Sequence, residues 1–182
     1  EATKIYPGKM AAVIGLEAPI IKEACDKTGA QVANYNSPQQ TVITGHADKV
    51  ESACALLQEK GAKNVVMLEV SGAFHSSLMK PAAEKFAIEL EKTSFTQPAF
   101  PLVGNVDARP TQDALQIRNN LALQITSSVQ WVETIKNIAR QGVTAFIEIG
   151  PGKVLRGLIR RIDPSLKVCN IEKPADIETL VF

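Results

Sequence analysis

The stretch QVANYNSPQQTVITG, residues 31–45, decides the reading of the fold. QVANYN and QTVITG are strand-like runs flanking Ser37-Pro38-Gln39, a proline-containing turn, so the stretch predicts a β-hairpin. On its amino-terminal side KMAAVIGL (9–16) reads as a strand. EAPIIKEACDKTG (17–29) reads as a short helix, with Pro19 in its first turn and Gly29 just past its end. On the other side HADKVESACALLQEKG (46–61) is an amphipathic helix closed by glycine, and KNVVMLEV (63–70) is a closing strand. The resulting β-α-β-β-α-β order is that of a ferredoxin-like subdomain, expected over residues 8–70 with both helices on one face of the sheet.

Residues 71–182 read as α/β. Met79, Ala82, Ala83, Phe86 and Leu90 form one helical stripe. FPLVGNV (100–106) predicts a buried strand, and residues 113–125 and 131–141 predict helices. TAFIEIG (144–150) predicts a strand that turns through glycines into the helix of PGKVLRGLIRRI, and LKVCNIE (166–172) supplies a last strand. Strands alternating with helices imply a parallel sheet covered on both faces. The strands are few for a complete domain, so part of this sheet is expected outside the sequence. Apolar surface on residues 100–150 is then expected to be exposed.

Composition limits the function classes. Of 182 residues, 45% are hydrophobic and 21% charged, which suits a soluble globular protein with a sizeable core. A net charge of +1 gives no basis for nucleic-acid or membrane-surface binding. No apolar run approaches the roughly 20 residues needed to cross a bilayer. No signal peptide is visible, so a cytoplasmic location is expected. The three cysteines, Cys25, Cys54 and Cys169, form no C-x-x-C pair and offer no zinc spacing with His46 and His75. Cys25 and Cys54 fall in helical apolar stripes, which predicts small buried hydrophobes in a reducing compartment.

The chemistry gathers in LEVSGAFHSSLMKP, residues 68–81. His75 follows a strand, with Gly72 and Ala73 leaving room around it. Ligand sites in parallel α/β folds collect at strand carboxyl ends, and histidine suits proton transfer near neutral pH. The same position also suits a histidine that caps a helix or is satisfied at a domain boundary. His46 opens a helix, and capping is its expected role. No G-x-S-x-G elbow, P-loop or G-x-G-x-x-G fingerprint is present, and IGPGKVL lacks the rest of a phosphate-binding pattern. Ser71, Ser76 and Ser77 neighbour His75 in sequence, whereas a triad histidine meets its serine through space.

MAAVIGL, VANYNSPQQTVITG, GAFHSSLMKPA, SSVQW and IEIGPGKVLRGLIRR, in that order, resemble the malonyl-CoA:acyl carrier protein transacylase family. This family is homologous to the acyltransferase domains of polyketide synthases, and the resemblance runs from about residue 8 to 172. It implies a ferredoxin-like subdomain joined to the carboxy-terminal part of an α/β-hydrolase-like acyltransferase domain. It also implies ping-pong transfer of malonyl from malonyl-CoA, through a serine ester, to the phosphopantetheine thiol of acyl carrier protein. His75 matches the family's base, and the carbonyl that orients it falls on Gln124.

Phe74 matches a residue that selects malonyl over methylmalonyl, although core packing is its alternative role. Asn36, Gln40 and Met10 are implied to face the coenzyme A arm, with turn stabilisation as the alternative for Asn36. Lys153, Arg156, Arg160 and Arg161 place positive charge on a late helix, suited either to an acidic carrier protein or to plain solvation. No metal and no cofactor is expected, since phosphopantetheine arrives on the partner. The complete enzyme is expected to be a monomer.

In the family, the G-H-S-x-G serine, a carboxylate-binding arginine and an oxyanion-hole glutamine precede the matched segment. EATKIYPGK resembles the family's segment just after that arginine, with residues 1–7 as a linker. The chain is therefore expected to lack its nucleophile and to be inactive alone. Excision as a module that binds carrier protein or coenzyme A without turnover is the alternative.

Overall fold

The computed structural model describes residues 7–179, so the expected linker over residues 1–7 lies almost wholly outside the described residues. Two compact units divide the chain at Thr134 and Ile135.

The first unit opens with β1 (Gly8–Ile14), α1 (Ala18–Thr28), β2 (Gln31–Ser37), β3 (Gln40–His46), α2 (Ala47–Glu59) and β4 (Asn64–Met67). The strands form one antiparallel sheet in the order β2-β3-β1-β4. Ser37 pairs with Gln40, so Pro38 and Gln39 form a two-residue turn. Pro19 starts α1, and Gly29 ends it in the left-handed region at φ 79°, donating its N–H to the Cys25 carbonyl at 2.8 Å. A side chain other than glycine is strained in that conformation.

Central strand β1 is buried on both faces. Ala11 and Val13 pack with Ile21, Cys25, Ile43, Val50 and Leu57 beneath the helices. Met10 and Ala12 pack with Ala33 and Val42 in a separate cluster. Each large aliphatic side chain so buried contributes about 1.5–3 kcal/mol. KNVVMLEV ladders only over Asn64–Met67, after which Leu68 still donates its N–H to the Met10 carbonyl.

The same unit continues through a 3₁₀ turn (Ser77–Met79), α3 (Lys80–Glu91), β5 (Leu102–Val103), β6 (Pro110–Thr111) and α4 (Ala114–Gln124). FPLVGNV is not the buried strand expected from its apolar run. Only Leu102 and Val103 pair, antiparallel to β6, and Leu102 is 44% exposed. Pro101 before the pair and Pro110 opposite it have no N–H to donate, which cuts the ladder short. Ahead of α4, Asp113 accepts the N–H groups of Leu115 and Gln116 at 2.8 and 3.3 Å and fixes the helix start.

α5 (Trp131–Arg140) crosses the unit boundary, and the second unit adds β7 (Ala145–Ile149), α6 (Val154–Ile162), β8 (Lys167–Ile171) and a terminal 3₁₀ turn. β7 and β8 pair in parallel. A parallel sheet covered on both faces is not what the described residues form. The pair stands alone, and Ile149 on β7 is 80% exposed. Glu148 reaches from β7 to accept the N–H groups of Leu155 and Arg156 at 2.9 Å each, which caps α6 with negative charge.

Candidate functional site

The segment after β4 carries His75, and its backbone is unusual. His75 has φ 57°, in the left-handed region. Histidine enters this region more readily than most residues, but holding it there costs about 1–3 kcal/mol. The residues on either side are tightly seated: Ala73 is 1% exposed and Ser76 fully buried. Ser76 Oγ donates to the Ala73 carbonyl at 2.6 Å and accepts the N–H of Leu78 at 3.3 Å. A Cβ on Gly8 would lie 2.5 Å from Ala73 Cβ, so only glycine lets β1 approach the segment this closely.

His75 Nδ1 lies 3.0 Å from the carbonyl oxygen of Gln124, at the end of α4 and 49 residues away in sequence. A carbonyl only accepts, so this bond requires the proton on Nδ1. In the neutral ring, Nε2 then carries the lone pair. That is the tautomer a general base needs, held by a dipole in place of a carboxylate.

The loop after Gln124 returns along the outer edge of the sheet. Ser128 Oγ donates to the Val32 carbonyl at 2.5 Å. Val129 exchanges main-chain bonds with the edge strand, donating to Ala33 and accepting from Tyr35 at 2.8 and 2.9 Å. Beyond it, Gln130 donates its N–H to the Asn105 carbonyl at 2.8 Å.

A groove lined by Gln31, Val32, Tyr35, Thr126, Ser128 and His75 follows this edge. Burial raises the Tyr35 hydroxyl above its ordinary range, and the Lys22 ammonium is raised by its bond to Asp26. Cys25, which also lines the groove, is pushed up to about 12 by burial, which keeps the thiol neutral and unreactive.

The remaining expected site residues are placed variously. Phe74 is 37% exposed next to His75. Asn36 and Gln40 flank the hairpin turn, both half-buried. Asn36 is five residues along β2 from Gln31, or about 16 Å at strand spacing, so it stands well away from the end of the strand that shares the groove with His75. Met10 is 5% exposed and contributes packing. Neither neighbouring hydroxyl is turned to the imidazole: Ser76 bonds Ala73, and Ser77 bonds Gln31. Gly8, Gln31 and Ser128 went unnoticed in the sequence. Gly8 ahead of an apolar run was a usable signal and Ser128 lies within the matched SSVQW, whereas Gln31 had none. No cluster suited to a metal ion occurs among the described residues, nor a helix long and apolar enough to cross a membrane.

The sequence profile of the acyl transferase domain matches residues 2–171. The chain belongs to the acyl transferase domain family. Within it, the malonyl CoA-acyl carrier protein transacylase of Salmonella typhimurium is 44% identical over 179 residues, covering 96% of this chain and 58% of the relative. The Bacillus subtilis protein of the same name is 41% identical, over 100% of this chain and 59% of the relative. This acyl transferase chain thus spans under three fifths of the length of these curated relatives.

Solved structures agree. An acyl-carrier-protein-S-malonyltransferase from Bartonella henselae superposes with TM-score 0.93 at 40% identity, over 98% of this chain and 59% of that one. A type II PKS acyl-carrier protein in complex with its malonyl-transacylase gives TM-score 0.92 at 39% identity, over 98% and 60%.

Proposed function

We propose that the protein transfers malonyl from malonyl-CoA to acyl carrier protein by a ping-pong mechanism, with His75 as the proton-transfer group. The observation that carries this reading is the His75 Nδ1 bond to the Gln124 carbonyl at 3.0 Å. It leaves Nε2 to take the proton of a serine hydroxyl as that oxygen attacks the thioester carbonyl. The imidazolium then returns the proton to the departing coenzyme A thiolate. In the second half-reaction the same nitrogen deprotonates the phosphopantetheine thiol and protonates the serine oxygen. Two ester-exchange steps replace one direct transfer between thiols.

The serine, an arginine for the malonyl carboxylate and the oxyanion donors are proposed to come from the part of the relatives' length that this chain does not match. On this reading, residues 8–70 are the ferredoxin-like subdomain of a cytoplasmic α/β-hydrolase-like acyltransferase, and residues 71–182 belong to its larger domain. Phe74 narrows the space at the malonyl α-carbon, while Asn36 and Gln40 offer amides to pantetheine. Met10, packed with Ala12, Ala33 and Val42, is given no contact with the coenzyme A arm on this reading, and no cofactor is required.

The test is transfer of radiolabelled malonyl to acyl carrier protein by the full-length protein, with His75→Gln alongside. The substitution is expected to lower kcat by about 10²–10⁴-fold. Retention of more than a tenth of wild-type kcat would refute the role of His75. Should the 182-residue chain bind coenzyme A or carrier protein without turnover even when the serine-bearing segment is supplied, the module reading replaces this one.

A further inference from the structure

The strained segment around His75 is fastened at its far side by a residue distant in sequence. The Ser77 N–H points at Gln31 Oε1 at 2.8 Å, and Ser77 Oγ lies 3.2 Å from the same oxygen. An N–H only donates, so Gln31 presents its amide oxygen here, and the Ser77 hydroxyl supplies a second donor to it. Ser77 opens the 3₁₀ turn that leads into α3, where N–H groups lack partners within the helix. Gln31 therefore caps that turn from another strand, 46 residues away in sequence.

The carbonyl of Gln124 fixes where the His75 ring points, and the Gly8–Ala73 contact fixes where the segment enters. Neither restrains the exit of a backbone that passes through φ 57°. Buried Ser76 begins that restraint through its bonds to Ala73 and Leu78, and Gln31, first residue of β2, adds to it from outside the segment by holding Ser77.

We infer that Gln31 is a positioning residue for His75: its side-chain oxygen, through Ser77, holds the imidazole in the geometry that proton transfer requires. The inference rests on the transferase reading for its kinetic consequence, but not for its structural one.

The experiment compares Gln31→Met, which keeps length and loses the acceptor, with Gln31→Glu, which restores an acceptor oxygen, both in the full-length protein. Hydrogen exchange at the Ser77 amide is expected to speed up about ten-fold in Gln31→Met and to return to within two-fold of wild type in Gln31→Glu. Malonyl transfer by Gln31→Met is expected to fall about five- to ten-fold in kcat with KM within two-fold, and Gln31→Glu is expected to recover it. Unchanged Ser77 exchange in Gln31→Met overturns the anchor itself. Faster exchange with unchanged kcat in an active enzyme overturns the positioning role. A wild-type protein without transferase activity refutes the transferase reading, while the exchange result still decides the anchor.

Discussion

Replacing Gly8 by alanine tests the tightest non-bonded fit beside the site. The added Cβ would lie 2.5 Å from Ala73 Cβ and 2.7 Å from the Gly45 carbonyl oxygen. Carbon atoms sit comfortably at about 3.5–4.0 Å, so the first overlap is about 1.0–1.5 Å. Ala73 is 1% exposed and Gly45 belongs to paired strand β3, so neither neighbour has open space to retreat into. Overpacking of this kind costs about 1–3 kcal/mol.

Against it stands the reduced freedom of the unfolded chain, which favours alanine by about 0.4–1 kcal/mol because Gly8 is not in the left-handed region. The difference spans about 0–2.6 kcal/mol, and its middle, about 1.3 kcal/mol, corresponds to roughly 3–5 °C in Tm for a chain of this size. Urea unfolding followed by fluorescence of the single tryptophan, Trp131, reads this directly. Gly157→Ala is the control: this glycine lies inside α6 with nothing within 4 Å of its added Cβ, and alanine should stabilise the helix by about 0.8–1 kcal/mol. A Gly8→Ala protein at least as stable as wild type would refute the steric argument.

Burial and capping give two more expected outcomes. Burial pushes the Cys25 thiol up from 9.0 to about 12, so the folded chain keeps a proton that the unfolded chain releases. Stability tied to this group is fully present below pH 9.0 and is lost as pH rises towards 12, at up to about 1.4 kcal/mol per pH unit. Cys25→Ala should flatten that alkaline slope in urea titrations, and an unchanged slope would show that Cys25 does not cause it. Asp113→Ala should cost about 1 kcal/mol by removing the acceptor for Leu115 and Gln116, and Asp113→Asn much less; equal losses by calorimetry would sink the capping account.

The small sheet and its helices were legible because their signals are local. Pro19, Gly29 and the Ser37-Pro38-Gln39 turn punctuate periodic runs, and each acts on the backbone within a few residues. Strand β5 was misread because FPLVGNV is apolar enough for a core, while its ladder depends on where partner N–H groups lie. His75 was recognisable by residue type and motif. The Gln124 carbonyl was supplied by the family resemblance, since a backbone oxygen leaves no mark on residue choice. The partners of Gln31 and Ser128 remained hidden for a related reason: the bonds to Ser77 and Val32 span 46 and 96 residues, and nothing local encodes such partners.

The outer edge of β2 is occupied by Val129 of the loop that comes after Gln124. A free β edge is a template on which other chains can add strands. The loop thus covers part of that edge through Val129 and follows directly on the carbonyl that accepts from the imidazole. Whatever loosens it would uncover a sticky edge at the moment it unsettles His75. If His75 transfers protons as proposed, protection of the sheet edge and support of the imidazole would share one short segment.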